Sequence, residues 1–189
     1  MKTRPSCDHY AESLARALQD ADWTPVEKLA EILEEARTSR KQVFLCGNGG
    51  SAANALHIAN DLTAAIYKGS RNAIRTHALT ANVATLSCIS NDLSYETGFS
   101  QQLRVLAEPG DLLIVLSGSG NSPNIIEAIR EAKELGVTSI AILGFDGGKA
   151  LSLADHPIHF QLDDMQVVED LQLVVGHMIM KALSGSSVD

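Results

Sequence analysis

Two short runs, residues 111–116 (DLLIVL) and 138–143 (TSIAIL), stay apolar behind polar openings and do not alternate. A strand with one wet face alternates. A strand apolar at consecutive positions is covered on both faces, the mark of a parallel sheet between helix layers. Three more short runs fit beside them: VFLCG at 43–47, THALTA at 76–81 and PIHF at 157–160. Helical stretches separate these runs, at Ser51–Tyr67, Ala81–Ser90 with Tyr95–Leu106, Pro123–Leu135, a short piece near Gly148–Ala154, and Met165–Leu183. Two helices come first, roughly Asp8–Ala21 and Pro25–Ser39. The second puts Val26, Leu29, Ala30, Ile32 and Leu33 on one face, with Pro25 suited to a first helical position. The expectation is an α/β fold: a doubly wound, parallel, five-stranded sheet with helices on both faces, preceded by two N-terminal helices, in a single domain over residues 1–189. In such sheets ligands sit beyond the carboxyl ends of the strands, so function belongs in the turns that follow them.

Two of those turns stand out. Residues 46–51 read CGNGGS, directly after VFL and before a helix. A plain tight turn needs one glycine; three allow close backbone approach by a ligand. Asn48 and Ser51 add side-chain donors, and the helix that follows offers free N–H groups and a positive dipole end. The turn lacks the GxGxxG spacing of a dinucleotide site. After DLLIVL comes SGSGNS at 117–122, then Pro123 and an amphipathic helix. Ser117, Ser119 and Ser122 set three hydroxyls around a helix start, a set that can hold a phosphate monoester without a basic residue. No lysine of the nucleotide-triphosphate loop type is present, which argues against ATP.

The formal net charge is −8, which repels nucleic acid and anionic membranes and leaves a small molecule as the expected partner. Aromatic residues are only 4%, so the core must be aliphatic and alanine-rich. Cys7, Cys46 and Cys88 are odd in number and unpaired in spacing, which fits a reducing compartment, and Cys46 reads as a packed thiol at a strand end. The opening MKTRPSCDHY has no apolar core segment, and no stretch approaches ~20 apolar residues. A cytoplasmic location is expected.

The two turns together resemble those of the SIS (sugar isomerase) domain family. The longer match, through FLCGNGGSAANALHIANDL, CISNDLSYETGF, PGDLLIVLSGSGNSPNIIEAI, LGFDGG and the last helix, is similar to the phosphoheptose isomerase (sedoheptulose 7-phosphate isomerase) branch. The resemblance implies phosphate contacts from Ser117, Gly118, Ser119 and Ser122. It implies sugar contacts from Asn48, Gly49, Gly50, Ser51, Asn91 and Asp92, and a homotetramer with sites at subunit interfaces.

His57 and Asp61 are four apart on one predicted helix and share a face. Glu169 and His177 are eight apart on another, broadly on one side. Such a set suits a divalent metal, zinc best, although helical His/Asp pairs are more often solvated. The branch carries a zinc set of His, Glu, Gln and His at these four places. Here the set reads His57, Asp61, Glu169 and His177, and Ala64-Ala65 stands where the branch has Gly-Arg. The implied reaction is aldose–ketose isomerisation: sedoheptulose 7-phosphate to D-glycero-D-manno-heptose 7-phosphate through an enediol(ate), with Asp61 or Glu169 and His177 moving the proton. Two other readings stand beside it: a non-catalytic adaptor of the kind that binds a replication initiator, and a phosphosugar binder of other specificity.

Overall fold

The computed structural model describes residues 6–65 and 73–184 of the 189. Helices α1 (Cys7–Asp20) and α2 (Thr24–Thr38) lead into β1 (Gln42–Gly47) and α3 (Gly49–Asn60), which gives way at its end to a π-helical turn, Asp61–Ala65. Then follow β2 (Arg75–Ala78), α4 (Val83–Asp92), a 3₁₀ turn (Tyr95–Thr97), α5 (Ser100–Leu106) and β3 (Leu112–Ser117). The chain continues through α6 (Pro123–Leu135), β4 (Thr138–Leu143), α7 (Ala150–Leu153), β5 (His156–His159) and α8 (Met165–Ser184). The sheet is five-stranded, every pair is parallel, and the order is β2-β1-β3-β4-β5.

Alternation along each strand divides the core in two. Val43, Leu45, Ile114, Leu116, Ile140 and Ile142 pack on one face with residues of α2, α3 and α8. Phe44, Cys46, Leu113, Val115, Ala141 and Leu143 pack on the other with residues of α5, α6 and α7. Both faces are covered, as the unbroken apolar runs require. The expected thiol role also holds: Cys46 is fully buried, and burial pushes its thiol up, away from the reactive thiolate. The leading helices dock on the first layer. The Tyr10 hydroxyl donates to Asp170 of α8 at 2.7 Å, and Trp23 packs on Phe160 with ring centroids 5.8 Å apart.

Three helices differ from the sequence expectation. The one expected to run Ser51–Tyr67 starts two residues earlier, at Gly49, and turns π-helical at Asp61; residues 66–67 lie outside the described ones. The one expected at 81–90 starts at Val83, where the Asn82 side chain accepts from Thr85 N. The stretch 95–106 is broken between the 3₁₀ turn and α5 at Gly98, where the chain presses on Leu86 so closely that a Cβ would come within 2.8 Å of its Cδ1.

Candidate active site

The strand order places the site. The chain leaves β1 for β2 on one side and returns to β3 on the other, so β1 and β3 flank the point where the winding reverses. A crevice opens at that point beyond the carboxyl ends of the strands. CGNGGS follows β1 and SGSGNS follows β3, so both turns border one crevice. A cleft of about 240 Å³ there is lined by Asn48, Gly49, Gly50, Ser51, Ser117, Gly118, Ser119 and Ser122, with Leu116, Met165 and Glu169.

The local chemistry of the cleft is that of donors. Asn48 precedes α3 and Ser122 precedes α6, and neither side chain caps its helix. Both helix starts therefore keep N–H groups for another acceptor, together with their positive dipole ends. The Ser117 hydroxyl accepts from Gly120 N at 3.1 Å, and that of Ser119 accepts from Asn121 N at 3.3 Å. Acceptance shapes the loop and leaves each O–H proton free to donate. The loop is also held from behind: Ala150 N donates to Gly120 O, and Lys149 N donates to Asn121 Oδ1.

Glu169 enters the cleft from α8. Its carboxylate lies against Gly50, where any Cβ would collide with it. The absent side chain at Gly50 is what makes room for that carboxylate at the start of α3.

His57, Asp61 and His177 meet elsewhere on the same two helices. The two His Nε2 atoms are 3.1 Å apart, and Asp61 Oδ2 is 3.4 Å from His57 Nε2 and 3.7 Å from His177 Nε2. They form a potential ligand triad, with both histidines exposed and Asp61 half-buried. Ligand atoms around a tetrahedral zinc with bonds of about 2.0–2.1 Å lie about 3.3 Å apart, and these three separations bracket that value. Two imidazole nitrogens facing each other at 3.1 Å need a proton or a cation between them, so the residues present fit a divalent metal. Close packing of α3 on α8 brings them together: a Cβ at Gly176 would fall 2.6 Å from Ile58 Cγ1. Asn54 pins the same contact, donating to Glu169 O at 2.9 Å and to Gln172 Oε1 at 3.0 Å.

Glu169 is not part of this triad. Eight residues of helix leave Glu169 about 80° around and about 12 Å along the axis from His177. Asn91 and Asp92 also stand apart. Both are exposed at the end of α4, outside the cleft lining, where Asp92 accepts from Asn91 Nδ2 at 2.8 Å and from Cys88 Sγ at 3.4 Å. Those bonds hold the Asp92 carboxyl below the usual carboxylate range. Ala64 is exposed on the π turn.

Sequence reasoning missed Met165, which lines the cleft one helical turn before Glu169, and two residues that bond Asn48. Asn124 exchanges hydrogen bonds with Asn48, and the Tyr95 hydroxyl donates to Asn48 Oδ1. A buried polar residue directly after the Pro of a helix start was the available signal for Asn124.

A doubly wound sheet with two Ser/Gly strand-to-helix turns converging at its switch point defines a phosphate-ester-binding α/β domain. The model of the SIS domain matches residues 8–144, and this chain belongs to the SIS domain family. Its relatives include phosphoheptose isomerases from Clostridium acetobutylicum, 37% identical over 94% of this chain and 93% of that one, and from Aliarcobacter butzleri, 37% identical over 90% and 89%. Among solved structures it is similar to phosphoheptose isomerase from Neisseria gonorrhoeae, with a TM-score of 0.86 and 31% identity over 95% of this chain and 96% of that one. It is similar also to the one from Francisella tularensis, with a TM-score of 0.89 and 25% identity over the same shares.

Proposed function

We propose that this chain is a phosphosugar isomerase that interconverts sedoheptulose 7-phosphate and D-glycero-D-manno-heptose 7-phosphate. The observation that carries the reading is the convergence of both turns on one cleft at the switch point. The phosphate takes the hydroxyls of Ser117, Ser119 and Ser122 and main-chain N–H groups around Gly118. Asn48, Gly49, Gly50 and Ser51 meet the sugar, and Asn91 and Asp92 remain candidates for its outer hydroxyls. Glu169, which lines the cleft beside Gly50, accepts sugar hydroxyls.

Asp61 and His177 are the proton-moving pair, each through the hetero-atom left over when Oδ2 and Nε2, 3.7 Å apart, serve as metal donors: Oδ1 of Asp61 and Nδ1 of His177. The Asp61 carboxylate removes a proton from C1 of the ketose, and the electron pair moves to give the enediol(ate). His177 transfers a proton between the neighbouring oxygens. Return of the carbon-bound proton to C2 leaves the aldose. His57, Asp61 and His177 would hold a zinc ion, which when bound supplies Lewis-acid polarisation of the reacting oxygens. The reading takes residues 1–189 as one SIS domain, working as a homotetramer in the cytoplasm. The single-domain part of this is supported by relatives matched over nearly their whole length.

Turnover of sedoheptulose 7-phosphate by wild type, Asp61→Asn and His177→Ala tests the assignment. Both variants should lose at least about 10²-fold in kcat, the usual worth of a positioned acid or base. Wild-type rates in His177→Ala would remove His177 from the mechanism.

A further inference from the structure

Asn48 sits in a small closed network that ties the two turns together. Its Nδ2 donates to Asn124 Oδ1 at 2.9 Å, and Asn124 Nδ2 donates back to its Oδ1 at 2.8 Å, a reciprocal amide pair. Asn124 belongs to the first turn of α6 and is 1% exposed, so its half of the pair is rigidly placed. The Tyr95 hydroxyl then donates to the same Asn48 Oδ1 at 2.7 Å. A primary amide has two lone pairs and two N–H bonds. At Asn48 both lone pairs and one N–H are engaged; the second N–H has no partner among the described residues, and Asn48 lines the cleft.

We propose that Tyr95 and Asn124 are positioning residues that fix Asn48 as a donor, never an acceptor, to a ligand oxygen in the cleft. This rests on the isomerase reading and assigns Asn48 a carbonyl or hydroxyl oxygen of the sugar. Without the phenol, the reciprocal pair with Asn124 still orients the amide, but one lone pair of Asn48 Oδ1 is released and can accept from a ligand hydroxyl, so the cleft discriminates less well between oxygen acceptors and donors. Tyr95 is 53% exposed, so loss of its hydroxyl leaves the packing of the chain in place.

The test is a double-mutant cycle on the full chain: wild type, Tyr95→Phe, Asn48→Ala and the pair, assayed for kcat and KM on sedoheptulose 7-phosphate. Binding of the same sugar phosphate is followed by calorimetry, and the melting temperature of each protein is recorded. Tyr95→Phe should lower kcat/KM about three- to tenfold at an unchanged melting temperature, the worth of one hydrogen bond. In the Asn48→Ala background the same change should cost nothing further, because its effect runs through Asn48. Equal kcat/KM in wild type and Tyr95→Phe, or losses that multiply in the double variant, overturn the inference and leave the isomerase reading intact. A wild type that neither turns over nor binds the sugar phosphate sinks both together.

Discussion

Asp61 and Glu169 are both helix carboxylates, and the sequence set them in one metal group. Their surroundings separate them. Asp61 shares a triad with two imidazoles, whereas Glu169 lies on Gly50 inside the cleft. The separation has a measurable consequence. Zinc affinity of the purified protein should fall by more than about hundredfold in His57→Ala, beyond the usual cost of losing an outer-shell partner. Glu169→Ala, which removes the oxygen donors altogether, should bind zinc within a few fold of wild type while changing KM for the sugar phosphate; a zinc titration that ranks the two variants equally would return Glu169 to the metal set. At this scale the sequence was half legible. The i, i+4 pair His57/Asp61 declares itself, because one helix fixes both ends. The pairing of Glu169 with His177 does not, because eight residues nearly, but not quite, restore the same face.

At the scale of elements, the contact between α3 and α8 decides whether the triad exists. Gly176 leaves no space for a methyl group beside Ile58, and the adjacent residue is His177. Gly176→Ala should push the helices apart and destabilise the fold by about 1–3 kcal/mol, as overpacking does. Denaturant melts should show that loss, and zinc titration of the folded variant should show weakened binding. A second element contact concerns β4 and the start of β5. The Asp155 carboxylate accepts from Ser139 N at 2.8 Å and from Ser139 Oγ at 2.7 Å. Burial opposes its ionisation, but those bonds prevail and hold it below its ordinary value. A depressed folded-state pKa means the contribution is whole above the unfolded value near pH 4 and fades as pH falls through the folded one. The stability gap between wild type and Asp155→Asn should therefore be constant at neutral pH and close on acidification, as read from melting temperatures across the acid range. Element types were legible from period and punctuation. Boundaries at Asp61 and Gly98 were not, because a π turn and a tertiary contact set them rather than propensity.

At the scale of the molecule, unbroken apolar runs gave the parallel sheet, and the turns after β1 and β3 gave the site's address. The sequence did not carry the strand order, since nothing local says on which side of β1 a later strand will pair; it emerged only with the register Val43↔Leu112. Nor did it carry the exposure of α4, which buries no residue and leaves Val83 and the following Leu93 72% and 64% exposed. The proposed homotetramer is checked by sedimentation, where the main species should run at four times the 20.2 kDa chain mass; a monomer would remove subunit interfaces from the account of the site.

The pairing of β1 with β3 bridges 69 positions of chain. Neither turn faces a partner until that long loop has closed, a step whose entropic cost precedes any reward. During synthesis, then, the growing chain has no anion pocket until α6 has emerged. A sugar phosphate that touches both turns at once therefore stabilises the closed chain and not the open one.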